Sequence, residues 1–241
     1  SSALLAVPLS WLLTRTNLPM TKSLRSFFCL PYAIPPFVGA IAWIVLANPS
    51  TGLLNSLFGK GFFNVYTALG LIWVMTSFFY TFVLLSLLAA LDRMDPSLEE
   101  AARLSGASPL KVFTQITLPI IRPSLISGLL LVLMASAASF GVPAMIGNPA
   151  RIYFVTTQIY TYQKMGTMSG ILQSGALSVI LLVLGLGVLL LNQRILKNQS
   201  YKTVSGKSAR PSLIALGKWR LPLTLFLLTL FFVLFALPIL A

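Results

Sequence analysis

The side chains that ordinarily carry acid–base, nucleophilic or metal chemistry are scarce in this sequence. Its 241 residues include no histidine, one cysteine and four acidic residues. All four acids, Asp92, Asp95, Glu99 and Glu100, lie within one short stretch. The lack of histidine removes the commonest general base and metal ligand. Cys29 stands in an apolar run with no thiol to pair with, so no intrachain disulfide forms and the redox compartment stays open. We therefore expect no catalytic, metal or cofactor-binding residues. What the acids mark is a polar island from Asp92 to Arg122, flanked by long apolar runs. Its centre is Glu100-Ala101-Ala102-Arg103-Leu104-Ser105-Gly106, continuing to Ile116-Thr117-Leu118-Pro119. Such an island is a place where a force applied outside a membrane reaches the helices inside it.

The elements around the island are read from composition and length. The chain is 57% hydrophobic and 9% charged, with a mean hydropathy of +0.90, against ~25% charged in soluble domains. That is a membrane protein. The net charge of +13 does not point to nucleic acid, because the basic residues flank apolar spans and form no continuous stripe. Apolar runs cover about residues 1–14, 27–47, 63–91, 119–141, 169–192 and 221–241. A helix crosses a bilayer with ~20 residues and a barrel strand with ~9–11; these lengths, without period-two alternation, predict helices. Between Ile171 and Leu191 fourteen residues are Leu, Ile or Val, contributing at most roughly −4 to −8 kcal/mol to insertion. The chain opens in a run short for a span and stops inside another, so we expect a piece of a longer chain.

Lysines and arginines in alternate links are unequal: fourteen on one side, in three links, against Lys60, Arg151 and Lys164 on the other. The positive-inside bias places the island in the cytoplasm. Apart from Arg122, near the start of the run 119–141, the spans carry no charged residue and no histidine. Buried charges usually mark proton relays and ion pathways, so a proton-coupled carrier or channel is disfavoured, and an intramembrane enzyme has little to work with.

Within the island, Asp95-Pro96 reads as an N-cap followed by the first helical residue, and Ser97 with Glu100 offers an alternative capping box. Leu98, Ala101, Ala102 and Ser105 fall on one face, three of them small. Gly106 is placed to end the helix in a left-handed turn. Ser108-Pro109 starts a second short helix with Val112, Phe113 and Ile116 on its apolar side. The expectation is two short helices with a sharp bend, joined to the spans before and after.

Glu-Ala-Ala, a glycine six positions after the glutamate, then Ile-x-Leu-Pro, resembles the EAA loop of binding-protein-dependent ABC importer permeases. The resemblance covers about twenty positions and lies between two spans, as in that family. It implies an all-α fold, a polytopic bundle of transmembrane helices of the ABC importer permease type, with a cytoplasmic coupling helix. It further implies that Glu100, Ala101, Ala102 and Gly106 dock into a cytoplasmic ABC ATPase dimer, while Ile116, Leu118 and Pro119 set the angle to the next span. Leu30-Pro31-Tyr32-Ala33-Ile34-Pro35-Pro36 and Ser139-Phe140-Gly141-Val142-Pro143-Ala144, with Arg151-Ile152-Tyr153 and Thr156 to Tyr160 after them, are similar to the iron(III)-type permeases. Permeases for thiamine, polyamines and phosphonates look alike in such stretches. In the iron(III) type two homologous halves are often fused. Residues 1–192 would then be the first half, 193–220 a basic cytoplasmic linker, and 221–241 the first helix of a second half. The implied function is ferric iron import across the inner membrane, with ATP hydrolysed by a partner and solute delivered by a periplasmic binding protein; the chain is no enzyme. Its other neighbours would be membrane lipid and the second permease half, in this chain or another.

Two readings stay open. Pro35 and Pro36 either unwind their span and expose carbonyls to a translocation path or kink a packing helix. Ser136, Ser139 and Gly141 either line that path or serve close packing. Val204-Ser205-Gly206-Lys207-Ser208 looks like the end of a phosphate loop, but Tyr201 stands where the first glycine is needed, so it reads as a basic linker.

Overall fold

The computed structural model describes residues 1–59, 61–197 and 213–241. The phosphate-loop-like stretch 204–208 lies outside them. Among the described residues all regular elements are helical, and one parallel bridge joins Thr16 to Ile214. The helices are α1 (Ser2–Arg15), α2 (Thr21–Cys29), α3 (Pro36–Ala47), α4 (Leu53–Phe58), α5 (Ala68–Arg93), α6 (Ser97–Leu104), α7 (Pro109–Val112), α8 (Leu118–Ala138), α9 (Val155–Lys164), α10 (Met168–Lys197), α11 (Arg220–Phe231) and α12 (Leu237–Leu240). Among the described residues four stretches are long and apolar enough to cross a bilayer: Ala68–Arg93, Pro109–Ala138, Met168–Lys197 and Gly217–Leu240.

Three of the expected runs differ in the structure. The run 27–47 is not one straight helix. It bends by 97° between Thr21–Ala33 and Pro36–Ala47, because Ile34 and Pro35, each preceding a proline, are both extended with ψ near 130°. The run 63–91 becomes helical only at Ala68, where Thr67 caps it by accepting the Gly70 N–H at 3.0 Å. The run 119–141 starts ten residues early, at Pro109. The second short helix of the island is thus continuous with the span. A π turn at Phe113–Thr117 joins α7 to α8 just before Leu118-Pro119. Two further π turns are Pro143–Gly147 and Phe232–Ala236, the latter just before Leu237-Pro238. Proline has no N–H to donate, so the ladder loses a rung there in any case, and the wider turn falls where that loss has already occurred.

Helix α5 is the axis of the bundle. Two-thirds of its membrane window, 67%, is buried, against 6% for α10. One end of α5 packs Tyr80, Leu84, Leu87 and Leu91 against Leu9 and Leu13 of α1, Leu24 and Phe28 of α2, Ile121 of α8 and Leu227 of α11. The other end packs Val74, Phe78 and Phe79 against Trp43 of α3, Val142, Ile146 and Phe235. Phe231 stacks on Phe27 at 5.4 Å between ring centres, which seats the last helix on α2.

The three basic links meet at one end of the bundle. Arg25 forms a two-pronged pair with Asp92 at 3.0 and 3.1 Å. The Asn17 N–H donates to the Ile214 carbonyl, and the Leu216 N–H donates to Asn17 Oδ1. At the opposite end the buried amide of Asn55 donates to the carbonyls of Asn48 and Phe63, both at 2.7 Å, and so closes the loop 48–67.

Candidate functional site

The island folds as its local chemistry dictates. Asp95 Oδ1 accepts the Ser97 N–H at 2.9 Å, so Asp95 performs the capping although the regular helix begins at Ser97. That bond, with the Ser97 hydroxyl, holds the Asp95 carboxyl below the usual range. Gly106 takes φ +84°. The Gly106 N–H then donates to Arg103 O at 2.9 Å and the Ala107 N–H to Ala102 O at 3.0 Å, the paired closure of a Schellman motif. Ser108 Oγ accepts the Lys111 N–H and starts α7.

The outward face of α6 is Leu98, Ala101, Leu104 and Ser105, with Leu104 90% exposed. Glu100, Ala102 and Arg103 are half-buried. Ala102 thus turns partly inward, away from the small-residue face expected for it, and Leu104 takes its place outside. Ile116 and Leu118 are half-buried, Leu118 against the core that holds Leu91 and Ile121, and Pro119 is exposed.

The residue that sequence reasoning missed is Glu99. It is 2% exposed, as is Arg15, and Arg15 Nε lies 2.7 Å from Glu99 Oε2. The Nε–H is not aligned along that line, so the contact is a close ion pair and not a directed hydrogen bond. Thr117 Oγ1 donates to Glu99 Oε1 at 2.6 Å, and Arg15 Nη2 donates to the Leu91 carbonyl at 3.1 Å. Removing one partner of such a pair costs about 3–5 kcal/mol, whereas a well-packed apolar pair in its place is often neutral or better. The signal in the sequence was two adjacent glutamates, and helical spacing alone did not say which one turns inward.

A second feature lies toward the other end of the bundle. Pro36, Ser139 and Gly141, with Phe37, Phe79 and Ala138, line a cavity of about 630 Å³. Pro35 caps α3 and Ser136 accepts the Ser139 N–H from α8; neither lines the cavity. A Cβ on Gly141 would meet Phe37 Cβ at 2.5 Å, so glycine there permits a close approach of two chain segments.

Residues 6–197 match the family of binding-protein-dependent transport system inner membrane components. A ferric transport system permease protein of Haemophilus influenzae is 31% identical over 190 residues, covering 77% of this chain and 30% of that protein. A sulfate transport system permease protein of Chlorella vulgaris is 29% identical over 76% of this chain and 69% of its own. An sn-glycerol-3-phosphate transport system permease protein of Yersinia enterocolitica is 30% identical, with 73% and 62% covered. This chain spans about a third of the length of the ferric relative. With a match over most of its length, on a bundle of apolar helices around a bent polar island, the chain belongs to the family of binding-protein-dependent transport system inner membrane components.

Proposed function

We propose that this chain is the membrane-spanning permease part of an ABC importer, and that α6 with the bend after it docks into a cytoplasmic ABC ATPase dimer. The observation that carries the reading is a capped, solvent-facing helix with an apolar outer face, Leu98 and Leu104, held between two membrane-crossing helices. An exposed apolar face beside acidic residues suits a protein groove better than water. Solute arrives from a periplasmic binding protein, and ATP binding in the partner moves α6. Gly217–Leu240 opens a second permease half, and Pro36, Ser139 and Gly141 border the solute path.

Ferric iron is the solute we favour, by similarity to the ferric transport system permease protein of Haemophilus influenzae. With no histidine, and all four acids confined to the island, the binding protein selects the metal. The sulfate and glycerol-phosphate relatives supply the competing substrates.

The test replaces Glu100→Ala and Gly106→Leu and measures capture of the ATPase and uptake of radioactive ferric iron. Each change lowers capture at least tenfold, about 1.4 kcal/mol, and abolishes uptake. Unchanged capture and uptake refute the docking role. Uptake of sulfate or glycerol phosphate without iron refutes the substrate alone.

A further inference from the structure

Among the described residues of α6, Glu99 is the one that is buried, and no α6 residue belongs to either apolar core. The helix is therefore joined to the bundle at its two chain ends and, between them, through the buried Glu99 side chain, which Arg103 one turn on also approaches at 4.0 Å. The Glu99 carboxylate faces Arg15 from α1 at 2.7 Å and accepts from Thr117 in the π turn at 2.6 Å. Arg15 in turn donates to Leu91 O at the end of α5, while its own carbonyl accepts the Ile214 N–H at 2.9 Å. Five segments converge on one ion pair. An apolar contact would hold α6 at least as cheaply but permits sliding, and a buried pair with fixed hydrogen bonds does not.

We infer that Arg15, Glu99 and Thr117 are positioning residues for coupling: they lock α6 to α1, α5 and α8, so the docked helix and the bundle move as one body. This rests on the docking role proposed above for α6. Neither Arg15 nor Glu99 touches ATP or solute. Their contribution is to turn a displacement of α6 into a displacement of the spans instead of a local flexing of the loop.

The experiment uses the complex with its cognate ATPase in nanodiscs, in a Cys29→Ser parent carrying spin labels at Ser97→Cys, exposed at the start of α6 and outside its apolar docking face, and at Leu69→Cys at the far end of α5. In the parent the label-to-label distance stays single and unchanged when Mg-ATP and vanadate are added. In Arg15→Met/Glu99→Met, which removes both charges of the buried pair at once, ATPase capture persists but the distance shifts by more than about 2 Å, the scale of helix shifts at interfaces. Thr117→Val, which removes one hydrogen bond only, broadens the distance in the same direction and serves if the double variant does not accumulate. A nucleotide-independent, parent-like distance in these variants overturns the inference. An unlabelled chain that captures none refutes the docking reading itself and the inference with it.

Discussion

At the scale of single residues, the island is governed by side chains of ordinary chemistry in positions that leave them few alternatives. Asp95 caps α6 through the Ser97 N–H, and that bond depresses its carboxyl. A depressed carboxyl stabilises the fold fully above the ordinary range, near ~3.9 for aspartate, and loses that contribution as pH falls through its own lower value. Protection of the Ser97 amide against hydrogen exchange, normalised for intrinsic rate, should therefore hold from neutral pH to about 4 and collapse below it. Asp95→Asn keeps an acceptor and should flatten this profile, and Asp95→Ala should lower protection throughout. A profile unchanged in the Asn variant would show that the Asp95 carboxylate does not control the protection of this amide. The cap and the left-handed Gly106 were both legible in the sequence, because each is decided by two or three adjacent residues. The partner of Glu99 was not, since Arg15 lies more than eighty positions away.

At the scale of elements, close approach decides more than length does. α5 and α8 meet where Gly128 faces α5: an added Cβ would lie 2.8 Å from Val83 Cα and 3.3 Å from Ser86. Backbone cannot yield as a side-chain tip does, so Gly128→Ala should cost about 1–3 kcal/mol, lowering the unfolding midpoint by about 2–4 °C per kcal/mol. The half-buried thiol of Cys29 provides the readout, through its reaction with a fluorogenic maleimide during heating in detergent. Gly187→Ala, where a Cβ meets nothing within 4 Å, should leave the midpoint unchanged. Equal midpoints for both variants would show that the α5–α8 contact is loose. Apolar length in the sequence located the spans well, because burial in lipid depends on composition. It misplaced the start of the crossing stretch that contains α8, which reaches back to Pro109, since Pro119 normally argues against a continuing helix and a π turn accommodated it. It also left open whether Pro35 and Pro36 kink or break their span, and the 97° bend is fixed by packing of α3 against α5 as well as by the prolines.

At the scale of the whole molecule, the count of basic residues and the folded bundle give the same division of the chain into two ends. Three links far apart in sequence, carrying Arg15 and Arg25, then Arg103 and Arg122, then Lys218 and Arg220, come together beside the link from α1 to α2 and the end of α5. The loop closed by Asn55 lies at the other end. By the positive-inside bias each cationic side chain at the end where the three links meet opposes its translocation, and fourteen against three favours placing that end on the inner face. A Cys29→Ser parent makes this orientation measurable with one thiol at a time. Leu57→Cys, 79% exposed on α4, should react with a membrane-impermeant maleimide added to intact spheroplasts. Leu104→Cys, 90% exposed on α6, should react only after the membrane is opened. The reverse pattern would place α6 outside the cell, where no ATP-hydrolysing partner can reach it, and would end the coupling role for Glu99, Glu100 and Gly106 together.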